Sequence, residues 1–297
     1  MGELAALVAA LLWAIASTQF ATLGRQLSAL TLNVLKTLVG FGFMAATLFV
    51  VHGQVWPTAL SDEALGWLII SGLLGLTIGD WAYFQSLIRL GPRRALLLWA
   101  LIPPLTALGA VPVLGEPLGP RLIIGILVTV GGVTWVMQEQ THDSGDHSGA
   151  RPVDLTAVGF GVLAVLAQCG GSLTAKLGGR DLDALPISVV RLAAGSVGIL
   201  IWVLAQRKTG AVFAVLRDGR RTAQVVFATF LGTYLGIWLL MISLQLTLTG
   251  IAATLSSTSP IFILPIARFW MKEPVSPRAI IGATIAVAGI AILVIPF

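Results

Sequence analysis

Apolar residues occur along the chain in long runs, and Gly, Pro and charged residues separate one run from the next. Because a helix needs about 20 apolar residues to cross the hydrocarbon core of a bilayer, each run predicts one membrane-spanning helix. A longer polar segment, residues 139–154, divides the runs into two groups of five. The ten predicted helices cover residues 3–23, 29–51, 65–88, 93–114, 119–138, 155–177, 184–206, 223–247, 251–271 and 277–297.

The second group of helices repeats the first. Residues 75–132 match residues 232–289 without a gap, and Trp81 falls on Trp238. The shared positions are Gly, Pro, Trp and Glu as well as apolar residues, whereas unrelated apolar segments agree mainly in Leu, Val and Ala. The chain is therefore predicted to be one unit that occurs twice.

The repeat predicts two domains, residues 1–138 and 155–297, joined by the polar linker. Five helices is an odd number, so the second copy must enter the membrane from the opposite side. Inverted repeats of this kind are typical of secondary transporters, whose substrate site lies near the bilayer midplane where the repeats meet. The predicted fold class is therefore all-α integral membrane, with ten transmembrane helices as two inverted five-helix repeats around a central cavity.

Composition agrees with a membrane protein. Of the 297 residues, 57% are hydrophobic and 10% are charged, and the mean hydropathy is +0.94, whereas a soluble protein has roughly 25% charged residues. The net charge of +5 does not indicate nucleic-acid binding, because the basic residues lie in short stretches between apolar runs. The single cysteine, Cys169, excludes a disulfide within one chain. The three histidines lie in predicted loops, so we expect neither a metal site nor a cofactor.

The basic residues also bear on orientation. Thirteen of the 18 Lys and Arg residues lie in odd-numbered loops or at their edges. The positive-inside rule then places the odd-numbered loops in the cytoplasm and both termini outside.

The order of the motifs resembles a known family. The first helix carries Trp13, and the second has a basic residue, Lys36, in its early part. The third contains GDWAYFQSL at residues 79–87. The fourth has Pro103 and is followed by Gly-Glu-Pro at 115–117. With its duplication, this order resembles the ten-helix EamA-domain branch of the drug/metabolite transporter superfamily. The resemblance implies a cavity between two four-helix sets, with the fifth and tenth helices outside them. It also implies export or exchange of small metabolites, often amino acids, in the bacterial inner membrane. Both termini would be cytoplasmic, contrary to the charge distribution, and the orientation stays open.

Apart from Glu3, at the first position of the first predicted helix, Asp80 is the one acidic residue, of 13, inside a predicted membrane segment. A carboxylate at that depth costs roughly 2.5–3.5 kcal/mol on insertion scales, so it should face protein or water and have a partner. One interpretation is a proton-coupling or cation-binding group, and its repeat position, Ile237, would make that site asymmetric. The other interpretation is a permanent ion pair, with Lys36, Arg191, Lys176 or Arg93 as the candidate partners.

Lys36 and Arg191 are repeat equivalents near the beginnings of their helices. They either extend to the membrane interface or hold a substrate carboxylate. Aromatic and small polar residues on the same helices either pack between helices or line the cavity. The candidate cavity residues are Trp13, Ser17, Lys36, Trp81, Tyr83, Phe84, Trp99, Gln168, Ser172, Arg191, Tyr234, Trp238, Ser256 and Ser257, with Asp80 as the coupling candidate.

The sequence thus predicts a secondary transporter, functional as a monomer, that moves small metabolites such as amino acids by alternating access. A multidrug or organic-cation exporter is the alternative, and it would require Asp80 to be accessible with Lys36 and Arg191 turned away. A membrane-embedded enzyme is disfavoured, because the chain has no HExxH or GxSxG motif and no second intramembrane acid.

Overall fold

The structure is a computed structural model that describes residues 1–58, 60–115, 119–137, 154–179, 182–246, 255–272 and 275–294. Every regular element within these ranges is a helix. The first half contains α1 (Gly2–Gly24), α2 (Ala29–His52), α3 (Asp62–Gly72), α4 (Asp80–Trp99), α5 (Ile102–Leu114) and α6 (Pro120–Met137). The second half contains α7 (Leu155–Gly178), α8 (Ala184–Ala205), α9 (Thr209–Arg217), α10 (Gly219–Thr229), α11 (Gly236–Leu246), α12 (Ser259–Pro265) and α13 (Pro277–Val294). Short π-helical segments follow α3, α10 and α12, at Leu73–Gly79, Phe230–Leu235 and Ile266–Trp270.

Six of the described helical stretches are long and apolar enough to cross a membrane. They are Gly2–Gly24, Ala29–His52, Asp62–Trp99, Leu155–Gly178, Ala184–Ala205 and Gly219–Leu240. Four more apolar helices are shorter, at Ile102–Leu114, Ile123–Val136, Ser259–Trp270 and Pro277–Ile292. The helices have apolar surfaces wide enough for lipid contact, which is the pattern of a multi-pass membrane protein.

The predicted boundary between the third and fourth helices coincides with a break in the helix at Gly91. Gly91 leaves the helical conformation, with φ 79° and ψ 165°, but the helix resumes at once and continues to Trp99. The next helix begins at Ile102, and Pro103 and Pro104 lie in its first turn. Proline is tolerated there because the first N–H groups of a helix have no intrahelical acceptor. The chain therefore breaks a second time at residues 100–101, inside the predicted fourth helix, residues 93–114.

Side-chain caps fix several helix starts. Ser28 and Ser61 accept hydrogen bonds from backbone N–H groups in the first turns of α2 and α3. Asp154 does the same for α7, and Asp218 for α10. Each cap satisfies N–H groups that the helix itself leaves unpaired, so the polar residues between apolar runs mark where the helices begin.

The four most extensive helix contacts in the described part of the chain join the two halves. α1 packs against α11, and α7 packs against α4. α2 packs along α8, and α6 packs along α13. The residues between α1, α2, α4, α7, α8 and α11 therefore belong to both halves of the chain.

Glycines bring α6 and α13 into direct contact. A Cβ atom on Gly132 would lie 2.6 Å from the backbone N of Ala286 and 2.8 Å from the carbonyl O of Gly282. A Cβ on Gly289 would lie 2.9 Å from the carbonyl O of Gly125. Only glycine permits such a close approach of two backbones, which is a common way for membrane helices to associate.

Candidate functional site

A cavity of about 420 Å³ lies between helices of both halves. Its volume falls within the roughly 300–1,000 Å³ of typical small-molecule sites. Residues of α1, α2, α4, α5, α7, α8, α11 and α12 line it, together with two of the π-helical segments. The predicted site residues that line it are Trp13, Ser17, Lys36, Asp80, Tyr83, Phe84, Trp99, Gln168, Ser172, Arg191, Ser256 and Ser257.

Three of the predicted aromatic residues have other surroundings. Trp81 packs on Trp202, with ring centroids 4.8 Å apart. Tyr234 donates or accepts a hydrogen bond with the Thr47 hydroxyl at 2.9 Å, and its ring packs against Trp238 at 5.3 Å. Trp238 is 41% exposed on the outer surface. None of the three is among the lining residues of the cavity.

Lys36 and Asp80 form an ion pair in the cavity wall. The Lys36 ammonium donates to Asp80 Oδ2, and the two side chains are only 14% and 6% exposed. The ammonium also lies 5.9 Å from the centre of the Phe84 ring, within the range of a cation–π contact. Lys36 thus extends into the protein rather than to the membrane interface. Of the four candidate partners of Asp80, Lys36 is the one that forms an ion pair with it in the structure.

Arg191 and Gln168 present polar atoms that the described part of the protein does not satisfy. Arg191 Nε and Gln168 Oε1 are both buried and have no hydrogen-bond partner there. The two side chains meet beside Gly75, where an added Cβ would lie 2.5 Å from Gln168 Oε1 and 3.4 Å from an Arg191 guanidinium nitrogen. A buried polar atom without a partner costs roughly 1–3 kcal/mol. Such atoms in the wall of a cavity are natural contacts for a ligand.

Aromatic rings form another part of the wall and are held in place by their own contacts. Trp13 Nε1 donates to the carbonyl O of Gly232 at 2.8 Å. The Tyr83 hydroxyl and the Ser17 hydroxyl are hydrogen-bonded at 2.8 Å, and the Tyr83 ring packs against Trp99 at 4.5 Å. The cavity therefore combines a charged region with a fixed apolar region, which suits a small amphiphilic molecule.

Some lining residues were not among those predicted from the sequence. Phe20, Ser188 and Thr233 all face the cavity. Helical spacing would have indicated two of them: Phe20 follows Ser17 by three positions, and Ser188 precedes Arg191 by three. Thr233 gives no such signal, since it lies in a π-helical segment whose spacing differs.

The described residues contain no cluster of three His, Cys, Asp or Glu side chains that could hold a metal ion. The polar groups of the cavity are instead an ammonium, a guanidinium, a carboxylate, an amide and hydroxyls. These groups bind polar solutes through charge and hydrogen bonds.

Known proteins place the chain in a family. The model of the EamA-like transporter family matches residues 1–138 and again residues 155–295. The chain belongs to the EamA-like transporter family. The family resemblance of the sequence motifs is thereby confirmed, and with it an integral, multi-pass membrane protein with a general transport function.

One relative of the chain is named as a transporter. An uncharacterised transporter of Archaeoglobus fulgidus is 26% identical over 294 residues, which are 99% of this chain and 98% of the relative. An uncharacterised protein of Pseudomonas aeruginosa is 29% identical over 136 residues, 46% of this chain and 45% of that protein. A crystal structure at 18% identity superposes with a TM-score of 0.65 and covers 98% of this chain and 95% of its own. That likeness shows a shared fold. The family and relative names point to a transporter rather than an enzyme.

Proposed function

We propose that the transporter moves small amphiphilic metabolites, in particular amino acids and related solutes, across the membrane. The observation that carries the proposal is the composition of the cavity wall. Lys36, Asp80 and Arg191 supply charge, and rings such as Trp13 and Trp99 supply apolar surface. An amino acid has the matching parts, since its charged groups lie on one carbon and its side chain extends from it.

Alternating access between two inverted five-helix repeats is the proposed mechanism. In this architecture residues 1–138 and 155–297 form the repeats, and together they contain ten membrane-spanning helices. Support comes from the way the helices pair. α1 packs on α11, and the corresponding helices of the other half, α7 and α4, pack on each other in the same way. In the pairs α2–α8 and α6–α13, each helix packs on its own repeat equivalent. Two halves related in this way can exchange conformations, so that the cavity opens first to one side of the membrane and then to the other.

Asp80 is the proposed coupling residue. It is buried at 4% exposure, lines the cavity and is joined to Lys36. Protonation of the carboxylate would break the ion pair and release the Lys36 ammonium. The state of Asp80 can therefore be linked to the charge that the cavity offers to a substrate. Asp80 then acts in proton-coupled transport rather than only in holding the helices together.

The alternative function, export of organic cations or drugs, has less support. That reading requires an accessible Asp80 and requires Lys36 and Arg191 to turn away from the cavity. Both basic residues line the cavity instead, and Lys36 occupies the Asp80 carboxylate. A membrane-embedded enzyme has no supporting arrangement, since Asp80 is the one acidic residue among the described lining residues.

Transport by purified protein in liposomes tests the proposal. The internal solution is unlabelled, and a panel of radiolabelled amino acids is presented outside, with and without a pH gradient. We expect uptake or exchange of particular amino acids, and a faster rate when a gradient is imposed. Absence of flux for every amino acid, with protein that remains monodisperse and helical, would contradict the proposal. Flux of quaternary ammonium compounds in the same vesicles would then favour the organic-cation exporter.

A further inference from the structure

The repeat places two cations at equivalent positions, and among the described residues only one of them has a counter-ion. Lys36 and Arg191 correspond in the two halves, and both line the cavity. Lys36 pairs with Asp80. The residue that corresponds to Asp80 in the second half is Ile237, which also lines the cavity and packs beside Leu192. The position equivalent to the acid of the first half thus carries an alkyl group in the second.

The charge of the cavity follows from this asymmetry. Its described lining contains two cations, Lys36 and Arg191, and one carboxylate, Asp80. No described carboxylate lies within the 4.0 Å of an ion pair with Arg191; Asp80 acts on that guanidinium only from a greater distance. One positive charge in the wall is therefore not balanced by a neighbouring side chain. A buried charge in this condition is costly unless an opposite charge joins it.

The polar atoms around Arg191 indicate which chemical groups a ligand would need there. Arg191 Nε is a buried donor and Gln168 Oε1 a buried acceptor, and neither has a partner in the described part of the chain. Gln168 Oε1 and a terminal nitrogen of the Arg191 guanidinium both lie beside Gly75, whose lack of a side chain leaves room for them. A carboxylate accepts from a guanidinium in a strong charge-assisted hydrogen bond, and an ammonium donates to an amide oxygen. An α-amino acid carries both groups on one carbon.

We propose that Arg191 binds the carboxylate of the substrate, which takes the place that Asp80 fills for Lys36, while Gln168 accepts a hydrogen bond from the α-ammonium. The substrate class is thereby an α-amino carboxylate, and the site selects against amines without an acid. Ile237 is the residue that keeps the site vacant for the substrate, because an acidic side chain there would neutralise Arg191 permanently. The inference rests on the proposed transport function and assigns the chemistry of its binding site.

A series of compounds with one side chain and different head groups tests the assignment. The compounds are L-phenylalanine, 3-phenylpropionate, L-phenylalaninamide and phenethylamine, each as a competitor of labelled amino-acid uptake and as a quencher of tryptophan fluorescence. The same series with leucine and alanine side chains separates the head group from the ring. We expect the amino acid to bind best and the acid without an amine next. Because a hydrogen bond to a charged group contributes about 1.5–3 kcal/mol, the amide and the amine should bind about 10- to 100-fold more weakly.

Two variants of Ile237 provide a matched pair. Ile237→Asp supplies the acid that the second half lacks, and Ile237→Asn introduces a similar polar shape without the charge. We expect Ile237→Asp to reduce the affinity for L-phenylalanine and 3-phenylpropionate at least about 10-fold, by loss of the charged contact, and to improve binding of phenethylamine. The Asn variant should keep the order of preference of the unmodified protein. Carboxylate affinity that is unchanged in Ile237→Asp would overturn the assignment.

Arg191→Gln gives a second test that does not depend on placing an acid in the membrane. This variant should lose the preference for carboxylates while phenethylamine binds as before. The ratio of the affinities for L-phenylalanine and phenethylamine therefore changes even if the protein is less stable. An unchanged ratio would overturn the role of Arg191.

The outcomes also separate this inference from the proposed function. Amides and amines that are transported as well as the amino acids would disprove the carboxylate site and leave a transporter. If no compound of any head group is bound or moved by folded protein, the proposed function fails, and the assignment fails with it.

Discussion

The Lys36 ammonium donates a hydrogen bond to the Asp80 carboxylate across the space between α2 and α4, inside the membrane-spanning part of the chain. Both side chains line the cavity, so the pair is a structural contact and a part of the binding surface at once. Removal of one partner of a buried ion pair leaves the other charge uncompensated, at a cost of about 3–5 kcal/mol. Changes at these two positions must therefore be compared with each other as well as with the unmodified protein.

Asp80→Asn is expected to abolish proton-linked transport. The amide oxygen of Asn can still accept a hydrogen bond from Lys36, so the fold should be retained, but the group that binds and releases a proton is gone. Uptake into liposomes, measured over a range of external pH with and without a gradient, checks this. Transport that continues with the same pH dependence would show that Asp80 has no part in coupling.

Lys36→Met is expected to destabilise the protein more than Asp80→Asn does. The substitution keeps the length of the side chain but leaves the Asp80 carboxylate buried and unpaired, at a cost of about 3–5 kcal/mol. The double variant Lys36→Met, Asp80→Asn has no unpaired charge, so it should regain part of this loss. Thermal unfolding of the four proteins in one detergent completes the comparison. A double variant that is less stable than Lys36→Met would argue against the ion pair.

Trp99→Leu is expected to weaken binding of aromatic amino acids. Trp99 lines the cavity against Tyr83, and loss of a ring–ring contact corresponds to about 0.5–1.5 kcal/mol, or about 2- to 12-fold in affinity. Binding of alanine should change less. Trp81→Leu is the control, because Trp81 packs on Trp202 and lies outside the lining: its melting temperature should fall while the affinities of the folded protein stay the same. Equal effects of the two variants on affinity would contradict this division.

Gly75→Ala is expected to reduce substrate affinity without unfolding the protein. The added methyl group would lie 2.5 Å from Gln168 Oε1 and 3.4 Å from the Arg191 guanidinium, so the flexible ends of these side chains must move. Gly66→Ala is the matched control, since an added Cβ there has no neighbour within 4 Å. Affinity for L-phenylalanine and the melting temperature should be measured for both. Unchanged affinity in Gly75→Ala would mean that Gln168 and Arg191 do not contact the substrate.

Gly132→Ala is expected to destabilise the contact between α6 and α13. Its methyl group would lie 2.6 Å and 2.8 Å from backbone atoms of Ala286 and Gly282, which cannot rotate away, and overpacking of this kind costs about 1–3 kcal/mol. The neighbouring Gly131 has no atom within 4 Å of an added Cβ, so Gly131→Ala should not lower the melting temperature. If both variants melt alike, the close packing is not a source of stability.

Much of the fold was accessible from the sequence because its signals are local or repeated. The length of the apolar runs predicted helices in the membrane, and the shared Gly, Pro and Trp positions predicted the duplication. Depth in a helix identified Asp80, since a lone carboxylate among apolar residues needs a partner. The sequence left that partner open among four cations, because pairing depends on how helices approach one another. The structure contains the ion pair with Lys36.

Which way an aromatic residue faces was harder to predict. Asp80, Tyr83 and Phe84 share one helix face at spacings of three and four and line the cavity, whereas Trp81 is about 100° away around the helix and packs elsewhere. The spacing of Trp81 and Phe84 alone does not show which of them is directed toward the cavity. Tyr234 and Trp238, four positions apart, show the same difficulty in the second half. Their spacing places them on one side of the helix, but Tyr234 contacts Thr47 of α2 and Trp238 is exposed on the outer surface.

The backbone contact between α6 and α13 also bears on motion. None of the described residues that line the cavity belongs to either helix. At Gly132 and Gly289 the two backbones are too close to rotate past one another, and separating them would expose bare peptide groups to lipid. The two helices should therefore behave as one rigid unit that joins the last helices of both halves. In the proposed alternating-access mechanism, widening the cavity on one side would require the remaining helices to tilt about this pair, which would then act as a pivot at the edge of the molecule.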